Sequence, residues 1–221
     1  KNVVERKSGY LYYVDGKGNV CEAKMSRGGR KKKAKKKVVE ENASKTPLKK
    51  VKGTLSREFV FAEDCNESRA LYDQSRFGEP KEGKFMYSLC EGLFLLEKKK
   101  MSLVDAKKAK ISVDSFIRRA KKVEPNFWIR YCAFRDMRSR GYIVKTALKF
   151  GADFRVYDRG VKPGEDHAKW ILYPIHEGEV MTLYEFSAKN RVAHSTRKKL
   201  LLAIVDDEGD VTYYSIAWTR P

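Results

Sequence analysis

The sequence lacks the cysteine spacing and the long apolar runs that are typical of a metal site or a membrane-spanning protein. Its four cysteines include no CxxC pair and lie mostly among apolar or helical neighbours: Cys21, Cys65, Cys90 and Cys132. This pattern favours free thiols in a reducing compartment over a zinc site or a disulfide framework. No apolar run approaches the roughly 20 residues that span a membrane, and the opening KNVVERKSG does not resemble a signal peptide. We therefore expect a soluble, cytoplasmic protein without a membrane partner.

Negative charge is also scarce. The chain has 29 Asp and Glu against 48 Lys and Arg, a net charge of +19 and a pI of about 9.7. This excess is larger than solubility requires and indicates a polyanionic partner, with nucleic acid favoured over acidic lipid. A composition rich in Lys and Glu is also typical of heat-adapted proteins, so part of the excess has that alternative explanation. Charge alone indicates a class of partner and no reaction.

The positive charge is concentrated in residues 27–52, which hold 12 Lys or Arg against 2 Glu. The stretch has too little apolar surface to order itself, so we expect a flexible basic loop or an extended hairpin inserted into a small sheet. We call it the basic insertion. It is either a solvated surface loop or an arm that contacts backbone phosphates. Its charge is almost entirely positive, which favours the arm.

The hydrophobic pattern predicts an α+β chain of two domains. The first, residues 1–122, is a small α/β domain: a hairpin in GYLYYVDGKGNVCEA, the basic insertion, a strand in EFVFA, and helices over 63–76, 88–98 and from Asp114. The second, residues 123–221, has a mixed sheet. It begins with a helix in NFWIRYCAFRDMRSRG and continues with strands in YIVKTAL, DFRVYDR and HAKWILYPIHE. We interpret LYEFSAKNRVAHSTRKK as strand end, turn and helix, followed by strands in KLLLAIVDD and DVTYYSIAWTR.

Three histidines are candidates for chemistry. His176 lies at a strand end beside Ile175 and is interpreted as structural. His194 precedes a basic pair where a helix is expected to begin, so capping or a packing contact explains it equally well. His167 follows a loop of turn-forming residues and lies where the next strand begins, a position at which a side chain can face both solvent and substrate.

The runs GYIVKTALKFGADFRVYDRG, EDHAKWILYPI and RVAHSTRKKLLLAIVDDEGDVTYY resemble the catalytic domain of the archaeal tRNA-splicing endonucleases, also called tRNA-intron lyases. Upstream, SRALYDQSRFGEP and SLCEGLFLLEKKK resemble that family's amino-terminal domain. The resemblance implies a restriction-endonuclease-like catalytic fold and cleavage of precursor tRNA at bulge-helix-bulge junctions. It also implies that no metal or other cofactor is needed and that the products are a 2′,3′-cyclic phosphate and a 5′-hydroxyl. The basic insertion lies outside the common pattern.

The family's catalytic triad falls on Tyr157, His167 and Lys198. Metal-free RNA cleavage needs a base for the 2′-hydroxyl proton, an acid for the departing 5′-oxygen and a cation for the phosphate. Histidine titrates near neutral pH and suits the acid. A tyrosine hydroxyl ordinarily ionises near pH 10, so a tyrosine base needs a nearby cation, and Lys198 would supply it. Lys199 is the alternative lysine, and for both lysines a solvated helix face is the structural alternative.

The resemblance also implies that Arg191, with Trp218 or Arg220, pinches an unpaired base of the RNA bulge. Trp218 has a core position as its alternative, because it alternates with Ile216 along an expected strand. Lys145, Lys149 and Arg155 are generic candidates for phosphate contacts.

The acids Asp206, Asp207, Glu208 and Asp210 surround Gly209 in an expected hairpin turn. They could hold Mg²⁺ in a metal-dependent nuclease. The resemblance favours docking into a basic pocket of a neighbouring subunit, within a homotetramer or a heterotetramer with a structural subunit. A non-catalytic RNA-binding or structural subunit is the remaining alternative function.

Overall fold

The computed structural model describes residues 10–14, 20–24, 50–148, 151–164 and 166–219. The turn of the predicted hairpin, most of the basic insertion, Lys149 and Arg220 lie outside these residues. The chain divides into two units, residues 1–45 and 46–221.

The first unit contains the predicted hairpin. Strands β1 (Tyr10–Val14) and β2 (Val20–Lys24) are antiparallel, with Tyr10 opposite Lys24 and Val14 opposite Val20. Strand β1 is rich in aromatic and β-branched residues, which suit a pleated strand, whereas β2 has only Val20 of this kind. The hairpin prediction is therefore confirmed for its two strands.

The second unit begins with a five-stranded sheet. Its strands are β3 (Val51–Leu55), β4 (Phe59–Glu63), β5 (Glu79–Lys81), β6 (Lys84–Ser88) and β7 (Met101–Val104), in the order β5-β6-β4-β3-β7. Strands β3 and β7 are parallel and the other neighbours antiparallel. The sequence pattern predicted only β4: β3, β5 and β6 carry lysine at exposed positions, and β7 has only four residues. The last two residues of the basic insertion, Val51 and Lys52, belong to β3.

Three helices accompany this sheet: α1 (Asn66–Ser75), α2 (Leu89–Glu97) and α3 (Val113–Val123). The predicted first helix began too early, because Glu63 pairs with Lys84 across β4 and β6. Helix α2 begins at a capping box in which Ser88 and Glu91 satisfy each other's backbone N–H groups. The predicted boundary at 122/123 falls at the end of α3 and stays a prediction.

The second five-stranded sheet has the order β12-β11-β10-β9-β8. Its elements are α4 (Phe127–Ser139), β8 (Ile143–Ala147), β9 (Ala152–Tyr157), β10 (Trp170–His176), α5 (Leu183–Ser195), β11 (Lys199–Val205) and β12 (Val211–Ile216). Strands β10 and β11 are parallel, and α5 makes the crossover between them. The other neighbours are antiparallel. Two mixed sheets with helices confirm the α+β prediction.

Helix α5 corrects the interpretation of LYEFSAKNRVAHSTRKK. The segment is helical from Leu183, because Thr182 and Glu185 form a capping box that starts the helix there. The expected strand end does not form. His194 consequently lies in the last helical turn rather than at a helix start.

Helix α4 contributes most to the core beside the second sheet. Its side chains Phe127, Tyr131 and Phe134 are buried and pack in one cluster with Phe154 and Leu172 of the sheet. The longest described helices, α4 and α5, have 13 residues each, and no helix in the described ranges is long and apolar enough to cross a membrane.

Candidate active site

An open cavity of about 390 Å³ lies at the end of the second sheet where β9 finishes and β10 and β11 begin. It is lined by Arg155, Tyr157, Gly164, Asp166, His167, Ala168 and Lys198. The three residues predicted as catalytic therefore meet at one cavity, although they come from a strand, a loop and a helix–strand turn.

Tyr157 is the last residue of β9 and lies opposite Ile143 of β8. Only 4% of its surface is exposed. The ring is therefore held by the sheet, while the residue lines the cavity at its edge.

His167 lies on the loop between β9 and β10 and is exposed. Its backbone N–H donates to Asp166 Oδ1 at 2.6 Å. Gly160 and Gly164 adopt positive φ of 81° and 97° in this loop, a conformation that glycine tolerates without strain. The loop thus brings an exposed imidazole to the cavity edge.

Lys198 follows α5 through a tight reversal. Arg197 has a positive φ of 56°, and the Lys198 N–H donates to the Ala193 carbonyl at 2.8 Å. The Lys198 ammonium donates to the Thr196 carbonyl at 2.8 Å. Burial, and then repulsion from Arg155, lower the pKa of Lys198. A cation held in this way can stabilise a phosphate within the cavity.

Lys199 is placed differently. It is exposed, is the first residue of β11 opposite Trp170, and does not line the cavity. The geometry supports Lys198 over Lys199 as the candidate catalytic lysine.

A second open groove, of about 580 Å³, lies along α5. It is lined by Phe186, Ser187, Asn190, Arg191, His194, Ser195 and Trp218. The Trp218 ring is 4.5 Å from the His194 ring, and Trp218 is 49% exposed beyond the end of β12. The core interpretation of Trp218 is therefore wrong. Arg191 and Trp218 share this groove, which we call the α5 groove, whereas Arg220 lies outside the described residues.

The acids between β11 and β12 form a defined turn, residues 206–210, which we call the acid loop. Asp206 Oδ1 accepts the Asp210 N–H at 2.8 Å. His176 Nε2 lies 2.9 Å from Asp207 Oδ1, and His176 Nδ1 accepts the Gly178 N–H, so the structural interpretation of His176 is supported. Asp207, Glu208 and Asp210 are exposed. Within the described ranges, no three His, Cys, Asp or Glu side chains are grouped to hold a metal ion.

Lys145 is not a phosphate contact. It is 6% exposed, and its ammonium donates to Glu91 Oε1 at 3.0 Å and to the Gly78 carbonyl at 2.9 Å. Glu91, a buried acid in the first turn of the apolar helix α2, was overlooked as its partner because the two residues are 54 positions apart.

Comparison with known proteins finds two family models that match the chain. Residues 127–213 match the family model for the tRNA intron endonuclease catalytic C-terminal domain, and residues 51–117 match the model for its N-terminal domain. The chain is 38% identical over 166 residues to the tRNA-splicing endonuclease of Thermococcus kodakarensis, covering 75% of this chain and 96% of that protein. It is 38% identical over 172 residues to the one from Methanothermobacter thermautotrophicus, covering 78% and 99%.

A third relative, the tRNA-splicing endonuclease of Nanoarchaeum equitans, is 45% identical over 139 residues, which cover 60% of this chain and 88% of that protein. Both family models begin after residue 50, so most of the basic insertion lies outside them. The match to both domains, at this identity and over nearly the full length of the relatives, confirms the resemblance: the chain belongs to the tRNA intron endonuclease family and carries its catalytic domain.

Proposed function

We propose that the chain cleaves precursor tRNA at bulge-helix-bulge junctions without a metal ion, leaving 2′,3′-cyclic phosphate and 5′-hydroxyl ends. The observation that carries this proposal is the meeting of Tyr157, His167 and Lys198 at one open cavity within the matched catalytic domain. These side chains supply a base, an acid and a cation, which is the set that transesterification of RNA requires.

In the proposed reaction, Tyr157 as its phenolate takes the proton of the 2′-hydroxyl. The 2′-oxygen then forms a bond to phosphorus as the bond from phosphorus to the 5′-oxygen breaks. Protonated His167 gives its proton to that departing oxygen. Lys198 stabilises the negative charge on the non-bridging oxygens in the transition state.

Recognition of the bulge is assigned to the α5 groove. An unpaired base stacks between the Arg191 guanidinium and the Trp218 indole, with Arg220 as the alternative partner. The half-exposed Trp218 ring supports this assignment, because a ring in the core could not receive a base. We also propose that the basic insertion adds sequence-independent phosphate contacts; removing it should weaken RNA binding at moderate salt.

The acid loop is proposed to dock into a basic pocket of another subunit, which makes the chain part of a homotetramer or of a heterotetramer with a structural subunit. Its three exposed acids support this role, because a second copy of a chain with net charge +19 offers positively charged surface to which they can bind. A cytoplasmic location remains a prediction. It is supported by the free thiols of Cys65, Cys90 and Cys132.

The decisive experiment incubates the full chain with a bulge-helix-bulge RNA in EDTA and analyses the ends of the products. Cyclic-phosphate and 5′-hydroxyl ends are expected at an undiminished rate. Cleavage that disappears with chelator would favour a Mg²⁺-dependent nuclease. Binding without cleavage would favour a non-catalytic RNA-binding or structural subunit.

Single variants test the assignments. His167→Ala and Lys198→Met should each lower single-turnover cleavage by about 100-fold or more, because each removes a group that acts in the transition state. Lys199→Met is the matched control, since that lysine is adjacent but outside the cavity, and it should cleave like the parent chain. An unchanged rate for His167→Ala would contradict the assignment of the acid.

A further inference from the structure

Arg155 is a second cation at the cavity, beside Lys198. It lies two residues before Tyr157 on β9, and alternate residues of a strand project from the same face. Both side chains line the cavity, and the Arg155 guanidinium carbon is 5.9 Å from the centre of the Tyr157 ring. Arg155 is therefore adjacent to two of the three residues assigned to catalysis.

The surroundings of Arg155 leave its charge uncompensated within the described part of the chain. Its Nε is buried and has no hydrogen-bond partner there, and no described carboxylate forms an ion pair with it. Lys198, which Arg155 repels, and Asp166 line the same cavity, but no ion pair joins Arg155 to Asp166. Buried polar atoms are nearly always hydrogen-bonded, and an orphaned one requires an explanation. Two repelling cations at one cavity are explained by an anion that binds between them.

We propose that Arg155 binds the non-bridging oxygens of the scissile phosphate together with Lys198, and is thus a fourth catalytic residue. The proposal rests on the proposed function. In the transition state the oxygens around the five-coordinate phosphorus carry more negative charge than those of the ground-state phosphodiester, and Lys198 alone supplies one compensating charge. A guanidinium binds two phosphate oxygens at once, and charge-assisted hydrogen bonds of this kind are the strong ones.

The test compares Arg155→Met with Arg159→Met in single-turnover cleavage of an intron-containing precursor tRNA. Arg159 is the matched control, because it lies four residues further along the chain, is exposed, stacks 4.9 Å from the Tyr142 ring centre and does not line the cavity. Loss of one preorganised donor to a transition state typically costs about 10²–10³-fold in rate. We expect that loss for Arg155→Met, less than a threefold change for Arg159→Met, and partial recovery for Arg155→Lys.

Two further readouts separate catalysis from structure. The first is affinity for the same RNA with a 2′-deoxy nucleotide at the cleavage site, which cannot be cleaved. Arg155→Met should lower this affinity by a smaller factor than it lowers the cleavage rate. Sulfur in place of one non-bridging oxygen of the scissile phosphate should slow the parent chain, and for one of the two diastereomers this slowing should shrink in Arg155→Met. Thermal unfolding of Arg155→Met should stay close to the parent, because the Arg155 side chain forms no ion pair with a described residue and its contact with the Tyr157 ring is a long one, at 5.9 Å.

A rate for Arg155→Met within threefold of the parent, or a sulfur effect unchanged for both diastereomers, would overturn the inference while leaving the proposed function intact. If Arg155→Met proves unstable, the cleavage rate and the sulfur effect of Arg155→Lys test the same inference. A parent chain that cleaves no precursor tRNA would refute the proposed function, and the role of Arg155 with it.

Discussion

The buried ion pair between Glu91 and Lys145 gives the sharpest prediction for stability. The two side chains are 7% and 6% exposed, and they join the segment matched by the N-terminal family model to the segment matched by the catalytic one. Glu91 also accepts the N–H groups of Gly78 and Ser88. Lys145→Met leaves the Glu91 carboxylate buried without its cation.

Removing one partner of a buried pair costs about 3–5 kcal/mol. For a unit of this size each kcal/mol lowers the midpoint of thermal unfolding by about 2–4 °C, so Lys145→Met should lower it by about 6–20 °C. Urea denaturation followed by circular dichroism gives the free energy of unfolding directly. Arg69→Met is the control, because it breaks only an exposed ion pair with Asp64 and should change stability little.

The double variant Lys145→Met with Glu91→Gln decides whether buried charge is the cause. It contains no unpaired buried charge, and the glutamine oxygen can still accept the Gly78 N–H. We therefore expect the double variant to lose less stability than Lys145→Met alone. A loss equal to the sum of the two single variants would refute the reasoning, because it would mean that the two side chains contribute independently.

Three further predictions concern the core, the pH dependence and assembly. Gly92→Ala should lower the free energy of unfolding in urea, because the added Cβ would lie 2.7 Å from a methyl of Val60. Overpacking costs about 1–3 kcal/mol, which exceeds the gain in helix propensity of about 1 kcal/mol. Lys198 carries its charge below its lowered pKa and loses it as the pH rises, so the alkaline fall of the cleavage rate should shift to higher pH in Lys198→Arg. Changing the exposed acids of the acid loop to amides should lower the mass measured by light scattering before it changes chemistry; a variant that stays tetrameric would contradict docking.

The sequence pattern predicted the second sheet better than the first for a physical reason. Strands such as β10 and β11 are nearly continuous apolar runs, as expected for strands buried on both faces. Strands β5 and β6 are short and carry lysine at exposed positions, so their pairing depends on the sheet as a whole. Helix α5 was interpreted in part as strand because aromatic residues at its start favour strands, and its capping box outweighs that preference.

The candidate site was less accessible to pattern reasoning than the fold. Tyr157, His167 and Lys198 are distant in sequence, and only the family resemblance connected them. Arg155 was predicted only as a generic phosphate contact; strand periodicity adds that it is two residues from Tyr157 and therefore on the same face of β9. Lys145 was misjudged because a lysine in a strand is usually exposed, and its burial depends on a carboxylate in another helix.

The position of the candidate catalytic lysine depends on how α5 is held. Ala193 is the only residue of that helix that is fully buried, and it packs in a small cluster with Ile171 and Leu200 of the sheet. Its carbonyl accepts the Lys198 N–H, and the Thr196 hydroxyl also donates to it. A larger side chain at Ala193 would push α5 away from the sheet and would move the carbonyl that fixes Lys198. Because Arg191 and His194 of the same helix line the α5 groove, that displacement would also move the groove. The packing of Ala193 against the sheet therefore contributes to the position of both the proposed base-binding groove and the proposed catalytic cavity.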